Sequence, residues 1–313
     1  MSKDPFFSIV IPIYNGSRTI LPVLNSILNQ KCRAFELILY DDASTDNSVT
    51  IVTDWLKNNH GAAQFIQGRT NKGSHYAVTM CLAKSKGRYV VLGAQDNVFS
   101  IDRLEIVLVE LKKNPDIGLI THDVAFGTPQ QFNRNVGFHF KALASNLKLT
   151  LSNLLFFRST LFQLDATIYQ AKFLEQFSLL SNFSPIEDLA LITSAAFGDK
   201  SRFLLHKHID QPLIFQIKTN RSQSFIRCEE INNRLIAYIT QQNINIFLRI
   251  TIIWGSKIIV YARSPKTLGS SLRVLANPLF LLFGFLGLLL RFFAVKIRTS
   301  RYSCMDKFKS TIS

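Results

Sequence analysis

Residues 7–13 (FSIVIPI) form a short apolar run, rich in β-branched side chains and bounded by turn formers, and predict a buried strand. Ile20, Val23, Leu24, Ile27 and Leu28 then recur at helical spacing within 17–29. A second strand is predicted over Phe35–Tyr40 and a second helix over Asp46–Asn58, with Val49, Val52 and Leu56 on one face. Phe65–Ile66 reads as a short strand, Gly73–Ser85 as a helix and Tyr89–Leu92 as a strand. A helix over Ile101–Lys113 and a strand over Ile117–Ile120 complete the regular part. Strands alternating with helices at this spacing predict an α/β domain with a mainly parallel sheet. From about 125 to 225 the pattern loses regularity, and from 240 onward it changes character.

Ligands of such sheets sit at the carboxyl ends of the strands. Three polar loops fall there: Tyr14-Asn15-Gly16, Asp41-Asp42-Ala43-Ser44 and Ala94-Gln95-Asp96-Asn97. Adjacent carboxylates at Asp41 and Asp42 repel one another unless they bind a ligand or cap a backbone, and both readings stay open. Ser44, Thr45 and Asp46 are natural turn and N-cap residues. Asp96 is either a turn residue or a ligand for a hard cation, with Gln95 and Asn97 as neighbouring oxygen donors. In SPIEDLALITSAAFG, Ser184 and Glu187 suit a capping box, which leaves Asp188 spare as a candidate general base. Neither G-x-x-x-x-G-K-[ST] nor G-x-G-x-x-G occurs, so P-loop and dinucleotide-binding readings fail. His122-Asp123, at a predicted strand end, is either an acceptor-side pair or a hydrogen-bonded loop pair. His206 and His208 do not make a zinc set.

Taken in order, five stretches resemble family 2 glycosyltransferases of the GT-A fold: FSIVIPIYNGSRTILPVLNSILNQ, FELILYDDASTDNSV, NKG, GRYVVLGAQDNVFSIDRLE and the Glu187-Asp188 pair. PLIFQIKTNRSQS resembles the segment that closes the catalytic domain, so the resemblance covers roughly 6–225. It implies a Rossmann-like GT-A domain over 1–225 that inverts the anomeric centre on transfer from a nucleotide-diphosphate-sugar. Tyr14 and Asp42 would hold the base and ribose, with Pro12 and Asp41 shaping that pocket. Asn15, Asn71, Gly73 and Gln95 fall in the same donor-binding motifs. Asp96 would bind Mn²⁺ or Mg²⁺ bridging the donor phosphates, and Asp188 would deprotonate the acceptor hydroxyl. The chain departs from the family at Ala94, where a first Asp is common, and at Val78 and Thr79, where Arg and Asn are usual. These departures motivate an alternative, a catalytically degenerate nucleotide-sugar-binding membrane partner.

Charge divides the chain of 313 residues. Residues 1–200 carry 19 basic and 17 acidic side chains, whereas 201–313 carry 17 and 4. The four cysteines are scattered without a C-x-x-C pair, which excludes a disulfide scaffold and fits a reducing compartment. No apolar stretch of signal-peptide length opens the sequence, so export is not expected. Residues 246–262 carry a wide apolar face and a narrow basic one with Trp254, suited to a membrane interface or to core packing. Leu279–Val295 holds one charge and would span about 26 Å as a helix, short of a hydrocarbon core of about 30 Å. Basic residues flank it on both sides, so no positive-inside orientation is readable, and a monotopic, re-entrant or interfacial attachment over 226–313, on the cytoplasmic face of a membrane with an anionic surface, is expected in preference to a full span. That placement suggests an envelope polysaccharide or lipid-linked glycan acceptor, with a protein or soluble glycan as the alternative. Nucleic acid is not an expected partner, because the basic residues interleave with aliphatic runs.

Overall fold

The computed structural model describes residues 5–128, 131–135, 164–175 and 205–217. Within them the order is β1 (Phe7–Ile13), α1 (Ile20–Leu28), β2 (Phe35–Asp41), α2 (Ser48–Asn58), β3 (Gln64–Gln67), α3 (Ser74–Leu82), β4 (Tyr89–Leu92), β5 (Asn97–Phe99), α4 (Arg103–Lys113), β6 (Ile117–Thr128), β7 (Gln131–Asn135), β8 (Thr167–Gln170) and β9 (Leu205–Ile217). The alternation read from the sequence holds up to Ile120, with element ends shifted by a few residues, except that β5 follows β4 directly where no strand was expected.

β1 sits inside the sheet, paired in parallel with β2 from Phe7↔Phe35 to Ile13↔Asp41 and with β4 from Phe7↔Tyr89 to Val10↔Leu92. Flanked on both sides and covered by helices, it has no solvent face, which is why FSIVIPI is apolar without alternation. α1 turns Ile20, Val23, Leu24 and Ile27 inward, and Pro22 falls in its first turn, where no intrahelical N–H partner is needed. α3 packs on β1 and β2, and α1 on α2 and β5.

The described strands form one sheet in the order β3-β2-β1-β4-β8-β6-β9-β5, with β7 beside β6. This corrects the expectation of a mainly parallel sheet. Only the β3-β2-β1-β4 part and the β6–β9 pair are parallel; β8 runs antiparallel to β4 and β6, β5 to β9, and β7 to β6. Parallel neighbours need a crossover connection, which α1, α2 and α3 supply, whereas β6 and β7 are joined by two residues and must form a hairpin. β6 extends well past Ile120, so His122 lies inside a strand and is buried, not in a loop. Its pairing with β9 is irregular around His122, Asp123 and Val124.

The chain leaves β1 toward β2 and β3 on one side and returns to β4 on the other. The carboxyl ends of β1 and β4 therefore border a topological switch point, where open α/β sheets form a crevice.

Candidate functional site

That crevice is a cleft of about 1010 Å³. Its lining includes Pro12, Tyr14, Asn15, Asp42, Asn71, Gly73, Gln95 and Asp96, so eight of the residues singled out in the sequence converge on one surface. Asp41 stands behind the wall, and Asp188 lies outside the described residues, as does everything from 218 onward.

The two adjacent carboxylates have different work. Asp42 is buried at 2% exposure, and its oxygens accept the backbone N–H groups of Lys72 at 2.9 Å and Gly73 at 2.7 Å. It thereby anchors the turn that opens α3. Gly73, at φ +90°, takes a left-handed conformation there that a side chain would strain. Asn71 Oδ1 accepts the same Gly73 N–H at 3.1 Å, and Ser74 and Ala77 continue the wall. Val78, where the family usually carries Arg, is buried beneath it. Asp41 Oδ2 accepts the Ser44 N–H at 2.9 Å and closes the turn after β2, while its buried Oδ1 has no partner among the described residues.

Asn15 adopts φ 49°, and its side-chain oxygen accepts the Thr45 N–H at 2.8 Å. Its own N–H donates to Ser44 Oγ at 2.9 Å. Asp46, read from the sequence as a turn or N-cap residue, does that work at the start of α2 and also binds across loops. Oδ2 accepts the Ser17 N–H at 3.1 Å, and Oδ1 accepts both the N–H and the hydroxyl of Ser48. Asn47 holds the N-cap position of α2 without a side-chain capping bond. Burial pushes the Asp46 carboxyl up, but the hydrogen bonds from Ser48 and Ser17 outweigh it and bring it down from 3.8 to about 2. Arg18 and Asp46, which nothing in the sequence reading placed at the site, both line the cleft. Their positions in the loop after β1 and the turn after β2 are the signal that would have found them.

The third loop bears on the cation. Asp96 is half-buried on the cleft wall, and its carbonyl accepts the N–H of Ile217 at the end of β9 at 2.9 Å. Both neighbouring amides are bound by the protein itself. Gln95 binds the backbone of Tyr14, Oε1 accepting its N–H at 2.8 Å and Nε2 donating to its carbonyl at 3.0 Å. Asn97 is completely buried in β5, and its Nδ2 donates to Asp165. Ala94 offers no ligand, and among the described residues no three His, Cys, Asp or Glu side chains gather as a metal site. The loop thus supplies a single carboxylate, which suits a cation whose other ligands come from a diphosphate.

Behind this loop, Arg103 is completely buried with its guanidinium 4.0 Å from the centre of the Phe99 ring. Nη2 donates to the Asp165 carbonyl at 2.7 Å, while Nε and Nη1 have no partner among the described residues. Burial pulls its pKa down to about 9, opposed by the Asp165 charge, and burial raises the Asp165 carboxyl in turn.

Comparison with known proteins agrees with this geometry. The family described as glycosyl transferase family 2 matches residues 8–171, just over half of the chain. The putative glycosyltransferase EpsE of Bacillus subtilis is 33% identical over 114 residues, 36% of this chain and 41% of that protein. A poly-beta-1,6-N-acetyl-D-glucosamine synthase of Staphylococcus epidermidis is 28% identical over 128 residues, 41% of this chain and 29% of that protein. The alignments thus span less than half of either relative's length. Among solved structures, S. aureus TarS 1–349 in complex with UDP-GlcNAc superposes with a TM-score of 0.65 at 18% identity, covering 98% of this chain and 90% of that one. At that identity the likeness establishes the fold, a GT-A-type α/β domain with a mixed sheet.

Proposed function

The chain belongs to glycosyl transferase family 2, and on that premise we propose that it moves a sugar from a nucleotide-diphosphate-sugar to an acceptor hydroxyl with inversion at the anomeric carbon. The observation that carries this reading is the meeting of the three strand-end loops in one cleft at the β1/β4 switch point, with Asp96 on its wall. Tyr14, Asn15, Asn71 and Gly73 supply a wall for base and ribose, with Asp42 holding the Lys72–Gly73 backbone in place from behind. Asp96 would hold a divalent cation, which as a Lewis acid stabilises the charge developing on the departing diphosphate. Asp188 is assigned from the sequence as the base that takes the acceptor proton. The degenerate-site alternative is not favoured, because Asp96 keeps its place on the cleft wall and Asp188 its place in the sequence.

An envelope polysaccharide or lipid-linked glycan is the proposed acceptor. The polysaccharide synthase among the relatives and the basic, apolar character of 226–313 both support it. Among the described residues no helix is long and apolar enough to cross a membrane. Attachment through 226–313 to the cytoplasmic face is likewise a proposal from sequence. The test is calorimetric titration of the full chain with a panel of nucleotide sugars, first with Mn²⁺ and then with EDTA. Binding of one donor that depends on Mn²⁺ is expected; folded protein that binds none would overturn the assignment.

A further inference from the structure

Gln95 lies in the middle of the cation loop, yet both polar atoms of its amide bond the backbone of one residue 81 positions earlier. β1 and β4 are paired only as far as Val10↔Leu92, and the Gly93 N–H, donating to the Val10 carbonyl at 2.8 Å, makes the last backbone bond between them. Beyond that point the chains diverge. The Gln95 amide then reaches Tyr14 and makes the pair of bonds that a neighbouring strand's peptide group would make. Meeting an N–H with its oxygen and a carbonyl with its nitrogen, the amide has only one orientation that satisfies both.

Gly16 supplies an independent observation. A Cβ at Gly16 would stand 2.5 Å from Gln95 Oε1 and 2.8 Å from its Cδ, and nearest of all to that one side chain. Gly16 is not among the glycines of positive φ, so its backbone conformation is open to other residues. The space occupied by Gln95 is what excludes a side chain there.

We infer that Gln95 is a positioning residue that clasps the cation loop to the loop carrying Tyr14, so that Asp96 and the base-facing wall meet the donor as one unit, with Gly16 kept small to admit the clasp. The inference rests on the proposed donor site. With alanine at position 94, Asp96 is the one carboxylate this loop offers the cation, so its placement relative to the Tyr14 loop sets how well cation and nucleotide can be held together.

The experiment uses the full chain as wild type, Gly16→Ala, Gln95→Ala and the double variant. Each is titrated with UDP and with GDP, in Mn²⁺ and in EDTA, while hydrogen exchange is followed at Tyr14. Gln95→Ala should weaken nucleotide binding in Mn²⁺ about tenfold, the effect of losing two modest hydrogen bonds. Gly16→Ala should do nearly the same by displacing the flexible amide, without removing it. The double variant should be no worse than either single one, the penalty should shrink in EDTA, and the Tyr14 amide should exchange faster in all three. If Gly16→Ala costs as much in the Gln95→Ala background as in wild type, or if Gln95→Ala binds as wild type does, the clasp is wrong while the donor site stands. If wild type binds neither nucleotide, the donor site itself falls and the inference with it. Should Gln95→Ala fail to fold, the Gly16→Ala result and its Tyr14 exchange decide alone.

Discussion

The Ser17 N–H donates to Asp46 Oδ2 at 3.1 Å and so ties the loop after β1 to the turn before α2. Ser48, held by the other oxygen, in turn accepts the Gly16 N–H on its hydroxyl at 2.8 Å. Because these bonds favour the carboxylate, the folded pKa of about 2 lies below the usual 3.8. The resulting stability is present above that usual value and is lost as pH falls toward about 2. Asp46→Asn should therefore cost about 2 kcal/mol at neutral pH and flatten the acid limb of the stability profile, as read by urea unfolding from pH 7 down to pH 2.

Asp42→Ala would leave the Lys72 N–H without its acceptor and the Gly73 N–H with only the longer bond to Asn71. A loss of about 1–3 kcal/mol is expected, together with faster amide exchange at 71–74 and weaker nucleotide binding. Asp42→Asn can still accept one of the two bonds, so it should fall between. Unfolding curves and exchange on the three proteins test the ranking; an unchanged exchange rate at Gly73 in Asp42→Ala would refute it.

Arg103 fills space beneath β5 and reaches Asp165, which also receives the side chain of Asn97. Arg103→Ala should destabilise the fold by about 3 kcal/mol, through the cavity and through the loss of the charge that favours the Asp165 carboxylate. Since Asn97 adjoins Asp96, nucleotide affinity in Mn²⁺ should fall as well. Thermal unfolding and titration check both; a variant as stable as wild type would show that the buried guanidinium contributes nothing net.

Asp96→Ala and Asp188→Asn should separate cleanly. The first should abolish the Mn²⁺ dependence of donor binding. The second should leave donor affinity within about twofold while lowering transfer by at least about 100-fold, since a general base acts on the acceptor. Titration and turnover on the same preparations distinguish them, and loss of donor binding in Asp188→Asn would reassign that residue.

Ending the chain after residue 240 should move the protein from the membrane fraction to the supernatant. Sedimentation with anionic vesicles is the readout, and continued binding would place the attachment before that point.

The regular part of the fold was legible because β1, β2 and β4 are buried runs and α1 and α2 carry clear apolar faces. β5 is three residues long, too short to establish a period, and it exists because Asn97 and Phe99 pair with Gln216 and Ile214 far along the chain. The role of Gln95 was hidden for a similar reason. Beside an aspartate an amide reads as an oxygen donor, and only the fold brings Tyr14 to it. Asp46 was legible as a turn residue at the start of α2, where its Oδ1 accepts the Ser48 N–H, but its second bond, from the Ser17 N–H of another loop, needed the fold. The convergence of the loops themselves followed from strand order, which the alternation of elements already contained.

The bond between the Asp96 carbonyl and the Ile217 N–H ties the cation loop to the last residue of β9. The sequence that follows is the part whose composition turns basic and then apolar. Ile217 is also in register with Gly127 of β6, so the chain leaves β9 at a point that touches both the cation loop and the body of the sheet. A ligand that settles Asp96 is therefore expected to slow amide exchange at Ile217, where β9 ends and the basic, apolar stretch of the sequence begins.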